Sequence, residues 1–298
     1  MKPAVKITIC LVVAAALIGA LCLLLLPAAS WQLPRIMHLG SDFDDKDYHI
    51  GASDVTERVD EVEIDWSAGS IRVTTHDGDG IRIAESGYET ERQQLRWRVV
   101  NGKLIIREHA PGLSWSLPHK ALELSLPASG CNELSIDAAS AEITLDRALT
   151  LRKLEADTAS GSLSADELTA DEVSFDSASG DCTLRGCDVG KFDMDTASGK
   201  AVLSGRFGTL ELDSASGDLE LTAQTVPGSI ETDTVSGKVS LALPEDAQFQ
   251  AELDSVSGDL NVEDFSGSYR GDVFTAGSGG GRYRFESVSG DVDIFFAR

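Results

Sequence analysis

Histidine, cysteine and aromatic residues are all scarce in this 298-residue chain, and each scarcity closes off a class of chemistry. The five histidines, His38, His49, His76, His109 and His119, are scattered. They form no H-E-x-x-H and no pair at ligand spacing, so no zinc centre is expected. The five cysteines do not make a disulfide framework: Cys10 and Cys22 fall in an apolar run, and Cys182 takes an inward position of the repeat described below. That leaves Cys131 and Cys187, which can pair only if folding brings them together. Phe, Trp and Tyr make up 6% of residues, leaving few platforms on which a sugar could stack. Basic residues are also few, 25 against 49 acids, for a formal net charge of −24. Such a surface repels phosphate backbones, so a nucleic-acid role is set aside. No G-x-S-x-G elbow occurs, and Gly277-Ser278-Gly279-Gly280-Gly281 lacks the Lys-Ser/Thr of a phosphate loop.

What the chain does have is a repeat. Asp-[Ser/Thr]-[Ala/Val]-Ser-Gly begins at Asp157, Asp176, Asp195, Asp213, Asp233 and Asp254, and successive glycines from Gly161 to Gly290 are 19, 19, 18, 20, 21 and 32 residues apart. Asp137-Ala138-Ala139-Ser140-Ala141 precedes the series and Glu286-Ser287-Val288-Ser289-Gly290 closes it. Apolar residues stand three and one before the acid (Leu154/Ala156, Val173/Phe175, Leu210/Leu212) and two and four after the glycine (Leu163/Ala165, Leu219/Leu221, Val239/Leu241). Spacing of two on both sides predicts strands with one buried face. The motif between them is turn chemistry, with Asp and Ser bonding nearby backbone and Gly supplying a positive φ. Units of this length bury their apolar face only by stacking. The expected fold is therefore all-β: a parallel β-solenoid, right-handed and β-helix-like, with rungs ~4.8 Å apart.

Val62 to Val73 reads as a degenerate first copy, and Leu95 to Ile106 as a hairpin around a type I′ Asn101-Gly102 turn. The solenoid should span 59–298, with an irregular N-terminal cap over 59–130 and regular rungs over 131–298. Residues 28–58, crowded with Asp42, Asp44, Asp45, Asp47, Asp54 and Glu57, read as an acidic linker. Ile7 to Leu26 is uncharged and follows Lys2 and Lys6, so residues 1–27 are expected to hold one transmembrane helix, with the N-terminus cytoplasmic and the repeat outside the cell membrane. A cleaved signal ending near Pro27-Ala28-Ala29-Ser30 is the alternative.

Stacked in register, Asp157, Asp176, Asp195, Asp213, Asp233 and Asp254 would form a column with neighbours ~5 Å apart, and like charges that close repel. In the preferred reading each Asp accepts backbone N–H bonds from its own corner, which lowers its pKa. In the other, Ca²⁺ bridges neighbouring carboxylates. The G-G-x-G-x-D nonapeptide of calcium β-rolls is absent, so no cofactor is expected. Beside this column, Asp181, Lys200, Asp218, Lys238 and Asp259 alternate in sign, a ladder that would hold register. Acids repeated in every unit do not look like a catalytic pair, so no catalytic residue is assigned and no enzyme is expected. The alternative is a polysaccharide-binding or polysaccharide-cleaving protein that uses Trp66, Trp97 and Trp115 in the N-terminal part.

Leu122-Glu123-Leu124-Ser125-Leu126-Pro127, Leu134-Ser135-Ile136-Asp137, the Ser-Gly-Asp corners, Leu241-Ala242-Leu243-Pro244 and Ser289-Gly290-Asp291-Val292-Asp293-Ile294 resemble the bacterial "putative-adhesin" family of β-strand-repeat domains. The resemblance covers about residues 59–298 and brings no catalytic residues. It implies a membrane-tethered, non-catalytic surface protein, an adhesin-like scaffold or an envelope-stress-associated one, with cell-wall or surface polymers or envelope proteins as partners.

Overall fold

The computed structural model describes residues 47–297 apart from 89, 110–119, 129–130 and 147–148. The expected transmembrane segment, the first part of the linker and Trp115 lie outside the described residues. Among the described residues no helix is long and apolar enough to cross a membrane.

Each rung consists of a strand, a corner and a second strand. In the rung built from Thr150–Thr158 and Leu163–Asp166, Leu151, Leu154 and Ala156 point inward from the first strand, and Leu163 and Ala165 from the second. Thr169–Ser177 lies parallel to Thr150–Thr158, with Val173 opposite Leu154 and Phe175 opposite Ala156. Each inward side chain thus stacks on its counterpart one repeat away. Phe175, Phe192, Phe207, Phe249 and Phe285 anchor one continuous core. The expectation of parallel, in-register rungs is met from Glu133–Leu145 through Val239–Leu243, apart from a one-residue shift between Leu184 and Cys187 where Cys182–Thr196 pairs with Ala201–Ser214.

At both ends, chain order and spatial order part. Glu61–His76, the degenerate first copy, is flanked on one side by Lys103–Arg107 and Lys120–Pro127 and on the other by Glu133–Leu145. The chain therefore lays a rung outside its first one before crossing to the inner side. The C-terminus mirrors this. Gly281–Ser287 and Val292–Phe296 are inserted between Ser229–Thr234 with Val239–Leu243 and the earlier Phe249–Ser255 with Leu260–Val262. The last repeat in sequence is thus the second-to-last in space, and the expected regularity of 131–298 ends at Leu243.

Antiparallel strands cover the edges. Ile81–Ser86 lies on Lys120–Pro127, and Arg96–Val100 on Lys103–Arg107 through the predicted turn, with Asn101 and Gly102 at φ 53° and 81°. Val273–Ala276 and Gly267–Arg270 cover the other end. Residues 49–55, at the end of the stretch read as a linker, are held by the N-terminal edge: His49–Ile50 pairs with Arg96–Val100, and Ser53–Val55 with Ile81–Ser86, with Val55 buried.

Candidate functional site

The register aligns the acids of every rung into one continuous column, in the order Asp65, Asp137, Asp157, Asp176, Asp195, Asp213, Asp233, Glu286 and Asp254. Each acid lies between two inward residues and so faces the outer surface of the first strand, half-buried by the rungs above and below. Arg107 closes the N-terminal end, with its Nε 2.8 Å from Asp65 Oδ2.

The acid is not the residue that closes the corner. The next residue does so: Gly161 N–H donates to Thr158 Oγ1 at 2.7 Å, Gly180 to Ser177 Oγ at 2.6 Å, Gly217 to Ser214 Oγ at 2.8 Å and Gly258 to Ser255 Oγ at 2.7 Å. The expected lowering of the Asp pKa therefore fails and the direction reverses. Burial first, then the neighbouring carboxylates, push Asp157 and Asp213 up to about 7 and Asp176 up to about 6, and Asp195 and Asp233 are raised for the same leading reason. Asp157 and Asp137 share a side-chain hydrogen bond, which needs a proton on one of them. The bases nearby serve a different column. Lys153 pairs with Glu155 at 3.1 Å, and Lys191 with Asp193 at 2.9 Å and Glu211 at 3.4 Å, all two residues before the acids. From Asp157 to Asp233 the column thus resists ionisation, because burial and the carboxylates of adjacent rungs disfavour the charged form. Ca²⁺ takes six to eight oxygens; among the described residues no group of three or more His, Cys, Asp or Glu comes together as a ligand set.

The corner glycines also differ from expectation. None of those from Gly161 to Gly290 in the repeat has positive φ. They are glycine because rungs touch there: a Cβ on Gly180 would collide with the Gly161 carbonyl oxygen, and one on Gly199 with that of Gly180. The charge ladder is real as far as Lys238, in a changed form. Lys200 N–H donates to Asp181 Oδ1 at 2.9 Å, and its ammonium reaches Glu220 at 2.7 Å. Lys238 repeats this on Asp218 and Asp293. The inserted rung then places Asp291 where Asp259 was expected, and the alternation stops, with Asp259 N–H donating to Asp291 Oδ1.

Among the described residues, the N-terminal part holds no sugar platform of the expected kind. Trp66 and Trp97 are core residues, 3% and 7% exposed. Beside them lies a cluster that the motif search missed. The Lys120 ammonium, 1% exposed, donates to Glu85 Oε1 at 2.8 Å, to His109 O at 3.2 Å and to Gln93 O, and stands 4.0 Å from Glu108 Oε1. Glu85 Oε2 accepts from Leu95 N–H and Glu108 Oε2 from Ser67 N–H. Its three donor contacts make this an ion lock that ties the cap strands to the first rung. Its sequence signal was parity: Lys120, Glu85 and Glu108 each continue an inward alternation (Leu122/Leu124, Ile81/Ile83, Leu104/Ile106) in which a charge is out of place. Cys131, Cys182 and Cys187 are all free and buried, so Cys131 and Cys187 do not pair, and burial pushes the Cys131 thiol up to about 12. The Gly277–Gly281 loop joins the edge strand Val273–Ala276 to the inserted strand Gly281–Ser287, with Gly277 and Gly279 at φ 58° and 74°.

This architecture, parallel two-strand rungs with hydroxyl-closed corners and an acid column, defines a β-repeat stack without a catalytic constellation among the described residues. The chain belongs to the family described as Toastrack DUF4097, whose model matches residues 59–295. A "putative adhesin" from Bacteroides fragilis is similar in structure at TM-score 0.52 and 13% identity, over 83% of this chain and 97% of that one. A "putative lipid binding protein" and another "putative adhesin", both from Parabacteroides distasonis, match at TM-scores 0.48 and 0.40 and 11% and 12% identity. Those two cover 84% and 83% of this chain and 97% and 98% of their own. No match was found among curated proteins.

Proposed function

We propose that the chain is a non-catalytic surface scaffold, held at the cell membrane by its N-terminal apolar segment with the repeat domain outside. The observation that carries this reading is the evenness of the stack. Its acids recur at every level, whereas a catalytic pair would stand out at one. The name "adhesin" carried by the Bacteroides fragilis neighbour agrees with it. Cell-wall or surface polymers, or other envelope proteins, are the partners such a scaffold would meet. The polysaccharide reading called on Trp66, Trp97 and Trp115, and burial of Trp66 and Trp97 takes two of those three away as sugar platforms.

The experiment is protease shaving of intact cells, followed by membrane fractionation. The scaffold reading expects the repeat domain to be accessible outside and to remain with the membrane fraction. A domain found protected inside the cell would sink it.

A further inference from the structure

Outward positions on the second strand of each rung are polar along most of the stack: Asp166, Arg185, Ser204 and Thr222. At the C-terminal end this rule breaks. Ala242 pairs with Thr222 on one side and with Phe295 on the other, so alanine and phenylalanine occupy outward places. Here the surface sinks into a cavity of about 450 Å³, lined by Thr222, Ala242, Phe295, Phe296, Glu263 and Asp264. Phe296 stands edge-on to Phe265 at 4.4 Å, and Phe265 in turn packs on buried Phe249. Glu263 is tied to the inserted rung through its N–H on Ile294 O, and Asp264 holds φ at 68°, a conformation Asp tolerates better than most residues. Among the described residues neither carboxylate has a salt-bridge or hydrogen-bond partner, although most cations of this chain are paired.

Aromatic rings beside two unpaired carboxylates suit one chemistry. A neutral apolar ligand would leave the acids unused, and a bare inorganic cation would leave the rings unused. We propose that this pocket binds an alkylammonium group, a primary amine on a short apolar chain. The methylenes lie against Phe295, Phe296 and Ala242, and the ammonium is held by Glu263 and Asp264 with a contribution from the ring faces. The shared chemistry fits a free diamine or a lysine side chain. The site does not depend on the scaffold role proposed above, and its test can fail without touching that reading.

The test is ligand-observed NMR titration of the full chain in detergent, at about 0.15 M salt to screen diffuse attraction to the acidic surface. The probes are 1,5-diaminopentane, Nα-acetyl-lysine amide and, as a neutral control, 1-pentanol. Saturable binding of either amine but not of the alcohol is expected. About tenfold weakening is expected in both Glu263→Gln/Asp264→Asn and Phe295→Ser, at an unchanged melting temperature. Which amine binds tells the free diamine from the lysine side chain. Arg298 is a cation one residue beyond the lining Ala297, so Arg298→Gln is titrated in parallel. No binding in either background, or binding that survives both pocket variants, overturns the proposal.

Discussion

Replacing Gly180 by alanine would drive a methyl group into the Gly161 carbonyl oxygen of the adjacent rung. The clash is with backbone on both sides, so neither partner can swing away, and a loss of about 1–3 kcal/mol or more is expected. Gly271, on the surface at φ 65° with nothing near its missing Cβ, is the matched control: Gly271→Asn should change the thermal midpoint little. Equal losses at the two sites would refute close rung approach as the reason for glycine. Sequence reasoning located these glycines but gave them the wrong cause. A repeated Gly in a turn motif suggests positive φ, and only the stacking shows that the constraint comes from the next rung. The same holds for the acids. A single unit suggests a corner cap, whereas the cap is the neighbouring hydroxyl, and the carboxyl is left to face its own copies.

Among the elements, the cap strands depend on one buried charge. Lys120→Met leaves Glu85 and Glu108 buried at 1% and 2% side-chain exposure without their cation, and a loss of about 3–5 kcal/mol is expected in denaturant unfolding. Adding Glu85→Gln should recover part of that loss, because one unmatched buried carboxylate then remains instead of two, and that one, Glu108, accepts from Ser67 N–H. A double variant worse than the sum of the singles would show that the lock is not a unit. The C-terminal rung offers a second test. Removing residues 281–298 takes away an interior layer, because Gly281–Ser287 bonds to Ser229–Thr234 on one side and Phe249–Ser255 on the other. Limited proteolysis should therefore open the stack from Ser229 onward. Fraying confined to the last few residues would contradict the inserted order. Strands and hairpin were legible from period and turn chemistry. The insertion was not, since rungs of equal register are interchangeable in a pattern, and the order among them is decided by loop geometry.

Across the whole molecule, the acid column sets how stability responds to pH. Asp157, Asp176 and Asp213 titrate at about 7, 6 and 7 in the folded chain, against an ordinary value near 3.8. Between about pH 4 and 7 the folded state therefore holds protons that the unfolded state has released. Stability falls as pH rises through that window, because each carboxyl must ionise while half-buried beside others. The protein should melt higher at pH 5 than at pH 8, the opposite of a chain whose carboxylates are salt-bridged. Partial exposure of the column limits the effect to on the order of 1 kcal/mol per carboxyl. Asp157→Asn keeps the shape and removes one charge from the interior of the row, so it should raise the midpoint at pH 8 and lose that advantage near pH 4, where the wild-type carboxyl is itself neutral. Added salt should narrow the gap between pH 5 and pH 8 by screening the repulsion between rungs. A midpoint that climbs steadily from pH 4 to 8, unchanged by Asp157→Asn, would mean that the carboxylates are neutralised by partners other than protons, and bound cations would then be the first place to look.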